Sequence, residues 1–128
     1  MIEVAAGIVR NTAGEILLCQ RKGELAGLWE FPGGKREEGE SFPQCLAREL
    51  REELSLSVAN VAEMTRMAYH DGKKEILFSF LSAQATENAT ITLTVHQAAR
   101  WVKPEELLKY PLCPADEKFV KKGGLNGL

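Results

Sequence analysis

Residues 34–56 read GKREEGESFPQCLARELREELSL, and the rest of the chain is organised around this stretch. Ser41 is placed to cap a helix, with Gln44 as the other half of a capping box and Pro43 in the first turn. Phe42, Leu46, Leu50 and Leu54 recur every four residues, the spacing of a buried helical stripe. The spacing predicts a helix from Ser41 to about Leu54. Glu49 and Glu53 then share one face at i, i+4, with Glu52 beside them and Arg48 in front. Glu40 and the Gly33-Gly34 pair lie just upstream. Carboxylates gathered this closely repel one another, and a hard divalent cation with oxygen ligands, Mg²⁺ or Mn²⁺, relieves that repulsion. The cluster points to metal-assisted chemistry on a phosphate-bearing substrate. The plainer alternative is a solvated helix face, with Arg48 and Glu52 as an ordinary ion pair.

The composition is compatible with that chemistry. A chain of 128 residues favours one domain spanning 1–128, large enough to fold without disulfides or a structural metal. Apolar residues make up 45% and charged residues 27%, as in ordinary globular proteins. A net charge of -2 argues against a general nucleic-acid binder, so no stable nucleic-acid complex is expected. Cys19, Cys45 and Cys113 are odd in number, widely spaced and without a CxxC pattern, which suggests reduced thiols and no zinc site. The first residues, MIEVAAGIVRN, lack the pattern of a secretion signal, and no run is long and apolar enough for a membrane helix. A cytoplasmic location is expected.

Outward from the helix, the chain alternates strand and turn signals. Val4–Arg10 and Glu15–Arg21 read as strands joined through Asn11–Gly14 in a hairpin. Lys22–Leu28 reads as a loop, and Trp29–Phe31 as a short strand stopped by Pro32 and two glycines. Val58–His70 and Glu75–Ala83, separated by Asp71-Gly72, form a second expected hairpin. Thr90–Val95 and Ala99–Val102 are expected as further strands. Pro104–Leu108 and Ala115–Lys122 are expected as helices, followed by a fraying GGLNGL tail. The pattern is that of one mixed α+β domain.

The spacing of Gly34, Glu40, Arg48-Glu49-Leu50, Glu52-Glu53, Ser55 and Leu56 resembles the signature of the Nudix hydrolases. One position departs, Ser55 standing where the pattern has glycine. A serine there either strains a left-handed helix end or marks a different turn. The resemblance implies an α/β/α sandwich, a mixed sheet between helices, and cleavage of nucleoside diphosphate derivatives by water with Mg²⁺ or Mn²⁺. It implies Glu49, Glu52 and Glu53 as metal ligands, with a backbone carbonyl at Gly33 or Gly34. Arg48 would orient a carboxylate, and Glu49 or Glu53 would be the general base. Glu40 would bind metal through water or brace the loop.

Outside this box, Glu30–Lys35 (EFPGGK) and Tyr110–Asp116 (YPLCPAD) are similar to the MutT-type sanitising pyrophosphohydrolases, including bacterial members acting on cytidine triphosphates and oxidised deoxynucleotides. That likeness implies Mg²⁺-dependent release of pyrophosphate from (deoxy)nucleoside triphosphates, in the service of nucleotide sanitation and DNA repair. Asp116 would read the base edge, the alternative being a helix cap. Arg21 would contact phosphate or sugar, and Lys35 would join the substrate site. Phe31 and Phe78 would flank the base, or else belong to the core. The family often has a second glutamate six residues before the tryptophan matching Trp101; here that residue is Val95, with His96 beside it and Glu87 upstream. The alternatives are hydrolysis of ADP-ribose, a nucleotide sugar or a dinucleotide, and nucleotide sensing without turnover. Small nucleotides are the expected partners, and monomer and homodimer are both open.

Overall fold

The structure, a computed structural model, describes residues 1–86, 89–126 and 128. The sheet strands are β1 (Ile2–Arg10), β2 (Ile16–Arg21), β3 (Trp29–Glu30), β4 (Gly33–Lys35), β5 (Val58–His70), β6 (Glu75–Ala85) and β7 (His96–Val102). Helix α1 spans Phe42–Leu54, a 3₁₀ helix spans Pro104–Lys109, and α2 spans Pro114–Lys121. The order β3-β2-β1-β6-β5 is extended by β4 on β1 and β7 on β2. The β1–β6 pair is parallel and the other pairs are antiparallel, so the sheet is mixed.

Both faces of β1 are covered, which is why Ala5, Ala6, Ile8 and Val9 form a continuous buried run rather than an alternating one. On one face Ala5, Val9, Leu17, Cys19, Leu81 and Ala83 pack against Cys45, Leu46, Leu50 and Leu54 of α1. On the other, Ala6, Ile8, Ile16, Leu18 and Phe80 pack against Leu107 of the 3₁₀ helix and Phe119 of α2. Helices therefore flank the sheet on both sides, as the resemblance implied. The capping box at the start of α1 is formed, with Ser41 Oγ accepting from Gln44 N at 3.2 Å and Gln44 Oε1 accepting from Ser41 N at 2.9 Å.

Several expectations are corrected. The first hairpin pairs only at Arg10↔Ile16, because β1 gives the early part of that edge to β4 (Val4↔Lys35 to Ala6↔Gly33). Thr90–Val95 is not a strand. Thr92 N donates to Leu54 O at 2.9 Å and Thr94 Oγ1 to Glu53 O at 2.9 Å, so this segment satisfies open carbonyls at the end of α1 instead of joining the sheet. The next strand begins only at His96 and runs three residues earlier than expected. The tail does not fray through Asn126: Gly124 N donates to Phe119 O at 3.0 Å and Asn126 N to Gly123 O at 2.9 Å. Ser55 adopts the left-handed conformation, φ 53° and ψ 34°, with its N–H donating to Arg51 O, so the serine carries the strain of a glycine position.

Candidate active site

The site begins where β4 passes the middle of α1. A Cβ on Gly33 would overlap the Ala5 carbonyl oxygen across the β1–β4 pair, so only glycine fits. A Cβ on Gly34 would stand 2.5 and 2.6 Å from the two carboxylate oxygens of Glu49. The missing side chain is thus the cradle in which the Glu49 carboxylate lies.

Glu53 lies one turn on along α1 and is half-buried. Burial first, then Glu49, then the more distant charges of Glu30 and Glu52, push the Glu53 carboxyl up to about 8. Carboxyl groups crowded in this way gain from a cation that neutralises them. Glu52 is not part of this pair. Its side chain is 59% exposed, and Oε2 lies 3.2 Å from Arg48 Nη1. Among the described residues no three His, Cys, Asp or Glu side chains stand ready-gathered as a ligand set. The chemistry and crowding of Glu49 and Glu53 fit a hard divalent cation, and Glu52 would join them only by changing rotamer.

Arg48 is the hub of the loop above them. Its Nε and Nη2 grip Glu40 bidentately at 2.6 and 3.0 Å, Nη1 reaches Glu49 Oε1 at 3.0 Å, and Nη2 donates to Lys35 O at 3.1 Å. The Arg48 guanidinium, together with the Glu37 N–H, holds the Glu40 carboxyl down at about 2. Glu40 therefore braces the loop. Lys35 takes part through its carbonyl, and its side chain is exposed.

A second group lies around β3. Asp116, on α2, is 4% exposed, and its Oδ2 accepts from Phe31 N at 3.2 Å. Burial, then the Glu30 charge, raises its carboxyl well above the usual carboxylate range. The helix-cap alternative fails, since the N-cap of α2 is Cys113, without a side-chain cap bond, and Asp116 inside the helix reaches a different element. The Phe31 ring is buried edge-on to Phe119, whereas Phe78 is half-buried, stacked on Phe80 with centroids 5.8 Å apart. Arg21 is engaged by the protein: Nη1 donates to Glu30 Oε1 at 2.9 Å and Nε to Glu24 O at 3.0 Å.

Glu30 was missed as a site residue in the sequence, although it opens the EFPGGK run. Its charge acts on both Glu53 and Asp116, so it connects the two groups. His96 is its second partner, Nε2 standing 2.8 Å from Glu30 Oε2. Val95 is 51% exposed on the bend before β7, whereas His96 is 4% exposed. The step of one residue at the strand start turns His96 inward and Val95 out. Glu87, the other suggested replacement, lies outside the described residues.

The NUDIX domain model matches residues 1–123. The chain belongs to the Nudix family. It is 44% identical over 118 residues to a CTP pyrophosphohydrolase of Escherichia coli K12, covering 91% of this chain and 86% of that one. It is 33% identical to an 8-oxo-dGTP diphosphatase of Proteus vulgaris, covering 68% of this chain and 80% of that one. The solution structure of the E. coli ORF135 protein superposes with a TM-score of 0.77 at 39% identity, covering 99% of this chain and 94% of that one. The Nudix signature residues fall on β4 and the loop after it, on α1, and on Ser55 and Leu56 just beyond it.

Proposed function

We propose that this Nudix protein is a Mg²⁺-dependent pyrophosphohydrolase of (deoxy)nucleoside triphosphates, with cytidine-type or oxidised nucleotides as substrates. The observation that carries the reading is the Glu49 carboxylate seated against the bare Cα of Gly34, with the half-buried Glu53 one helical turn on. The names of the similar proteins, CTP pyrophosphohydrolase and 8-oxo-dGTP diphosphatase, support the substrate class.

Glu49, Glu52 and Glu53, with the Gly34 carbonyl, would hold the cation; Mn²⁺ would substitute for Mg²⁺. Such an ion supplies Lewis acidity toward polyphosphate oxygens and water. Glu53 or Glu49 takes the proton from the attacking water. The new P–O bond forms in line with the bridging P–O bond that breaks, leaving nucleoside monophosphate and pyrophosphate. Arg48 keeps Glu49 facing the β4 loop. On the other side, Asp116 and the Phe31 backbone form the polar edge for a base. Phe78 offers a half-buried ring to stack on it.

The reading is tested with a panel of CTP, 8-oxo-dGTP, unmodified triphosphates and ADP-ribose in the presence of Mg²⁺, with products separated. Monophosphate plus pyrophosphate, lost on adding a chelator, is the expected outcome. Turnover of ADP-ribose alone would replace the substrate class. The outward-turned Val95 favours a second reading, nucleotide binding without turnover, which predicts thermal stabilisation by nucleotide and no pyrophosphate release. The same proposal puts the protein in the cytoplasm, acting on small nucleotides, as a monomer or homodimer. No helix among the described residues is long and apolar enough to cross a membrane.

A further inference from the structure

His96 is a buried polar side chain that the proposed reaction does not use. Its side chain is 3% exposed. Nε2 lies 2.8 Å from Glu30 Oε2, while Nδ1 is buried with no hydrogen-bond partner among the described residues. A carboxylate oxygen only accepts, so the Nε2 position carries the proton and donates. An imidazole that leaves one nitrogen unsatisfied in order to make a single contact is costly as a mere core filler. A leucine would fill the same volume without that cost.

The contact makes sense from the side of Glu30. One carboxylate oxygen receives Arg21 Nη1 at 2.9 Å and the other receives His96 Nε2 at 2.8 Å. Two donors from different strands, β2 and β7, thus fix the plane of one carboxylate on β3. The bulge between Gln20 and Arg21 lets Arg21 pair with His96 in the β2–β7 register, so both donors arrive at the same level of the sheet. A glutamate held by one donor would still rotate about its last torsion; one held at both oxygens does not.

We propose that His96 is a positioning residue that locks the Glu30 carboxylate against Arg21, and so holds β3 in place beside the Phe31–Asp116 contact that the proposed function gives to the base. The inference deepens the proposed function and rests on it for the identity of the ligand. The lock itself is a property of the protein without substrate. His96 acts through Glu30 and touches no reacting atom.

The experiment has two arms, because the chain holds only two histidines and their ring signals are separable. In the first, ¹⁵N-labelled protein without nucleotide is examined by long-range ¹H–¹⁵N NMR, with His70→Gln assigning the His96 ring. The expected spectrum has the proton of His96 on Nε2, and Glu30→Gln shifts that nitrogen. A proton on Nδ1 alone, or a ring indifferent to Glu30→Gln, overturns the lock whatever the substrate is. In the second arm, His96→Leu keeps the volume and removes the donor, while His96→Gln keeps a donor near the Nε2 position. His96→Leu is expected to raise KM for the preferred nucleotide by about fivefold or more with kcat changed by less than about twofold. His96→Gln recovers most of the loss, and in a Glu30→Gln background the His96→Leu change adds little. Equal damage from Leu and Gln, or full additivity with Glu30→Gln, overturns the proposal. Absence of nucleotide turnover in the unmutated protein would strike the proposed function instead and leave the NMR result standing.

Discussion

The Glu49 carboxylate occupies the space that a side chain on Gly34 would need, its oxygens lying 2.5 and 2.6 Å from the Cβ position. Gly34 has no positive φ, so its identity is set by this neighbour and not by backbone strain. Gly34→Ala should therefore fold, with the Glu49 side chain displaced. The expected result is a fall in kcat of about 10²-fold with a nearly unchanged melting temperature, read by pyrophosphate release and thermal denaturation. Activity retained within a few-fold would show that Glu49 need not sit there.

Glu53 sets a pH dependence that is read without substrate. Its folded-state carboxyl is raised from 4.5 to about 8, chiefly by burial. The folded protein then holds a proton that the unfolded chain has released, so this contribution is fully present below about 4.5 and lost as pH rises through about 8. Glu53→Gln imitates the protonated form. In chelator-treated protein it should match the unmutated protein below about pH 4.5 and exceed it in urea midpoint by a margin that grows as pH rises to about 8. The same substitution should remove most nucleotide hydrolysis. Added Mg²⁺ should raise the alkaline urea midpoint of the unmutated protein only.

Arg48 contacts Glu40, Glu49, Glu52 and the Lys35 carbonyl, a set that needs the planar guanidinium fork. Arg48→Lys should cost about 2 kcal/mol in stability and lower turnover, because lysine cannot serve these partners together. The acid side has the opposite sign to Glu53. Glu40 is depressed from 4.5 to about 2, so its contribution is present above 4.5 and lost as pH falls toward 2. The stability gap between Arg48→Lys and the unmutated protein should narrow as the solution is acidified, in a series of urea titrations.

Ser55 sits at φ 53° and ψ 34° at the end of α1, exposed to solvent. A non-glycine residue there costs on the order of 1 kcal/mol, partly offset by its smaller loss of chain entropy. Ser55→Gly should stabilise the protein by about 0.5 kcal/mol with unaltered kinetics, measured by equilibrium unfolding. A destabilised variant would mean that the serine side chain contributes more than its backbone strain.

The helix and its acids were legible because their signal is local. Ser41 and Gln44 cap α1, Leu46, Leu50 and Leu54 bury it, and the order Arg48, Glu49, Glu52, Glu53 follows from turns of one helix. The second hairpin was legible for the same reason, Asp71-Gly72 sitting between two long strands. The segment 90–95 was misread because threonines favour strands, while the need of the α1 carbonyls for donors, which no window of sequence displays, won. Glu30 and His96 were overlooked as a pair because 66 residues separate them and only the β2–β3 and β2–β7 pairings bring them together.

By itself, then, the sequence determined what repeats on the scale of a helical turn: where α1 begins and ends, which side is buried, and which carboxylates it carries. The tertiary structure decided what depends on strand choice and on a one-residue register. It gave the early edge of β1 to β4, turned His96 inward and Val95 outward, brought Asp116 to the Phe31 N–H, and drew Glu52 away to Arg48. The reason is one of range. Helical hydrogen bonds join residues four apart, whereas a sheet joins whichever strands bury the most surface together, and a side chain reverses its facing when that pairing slips by one residue.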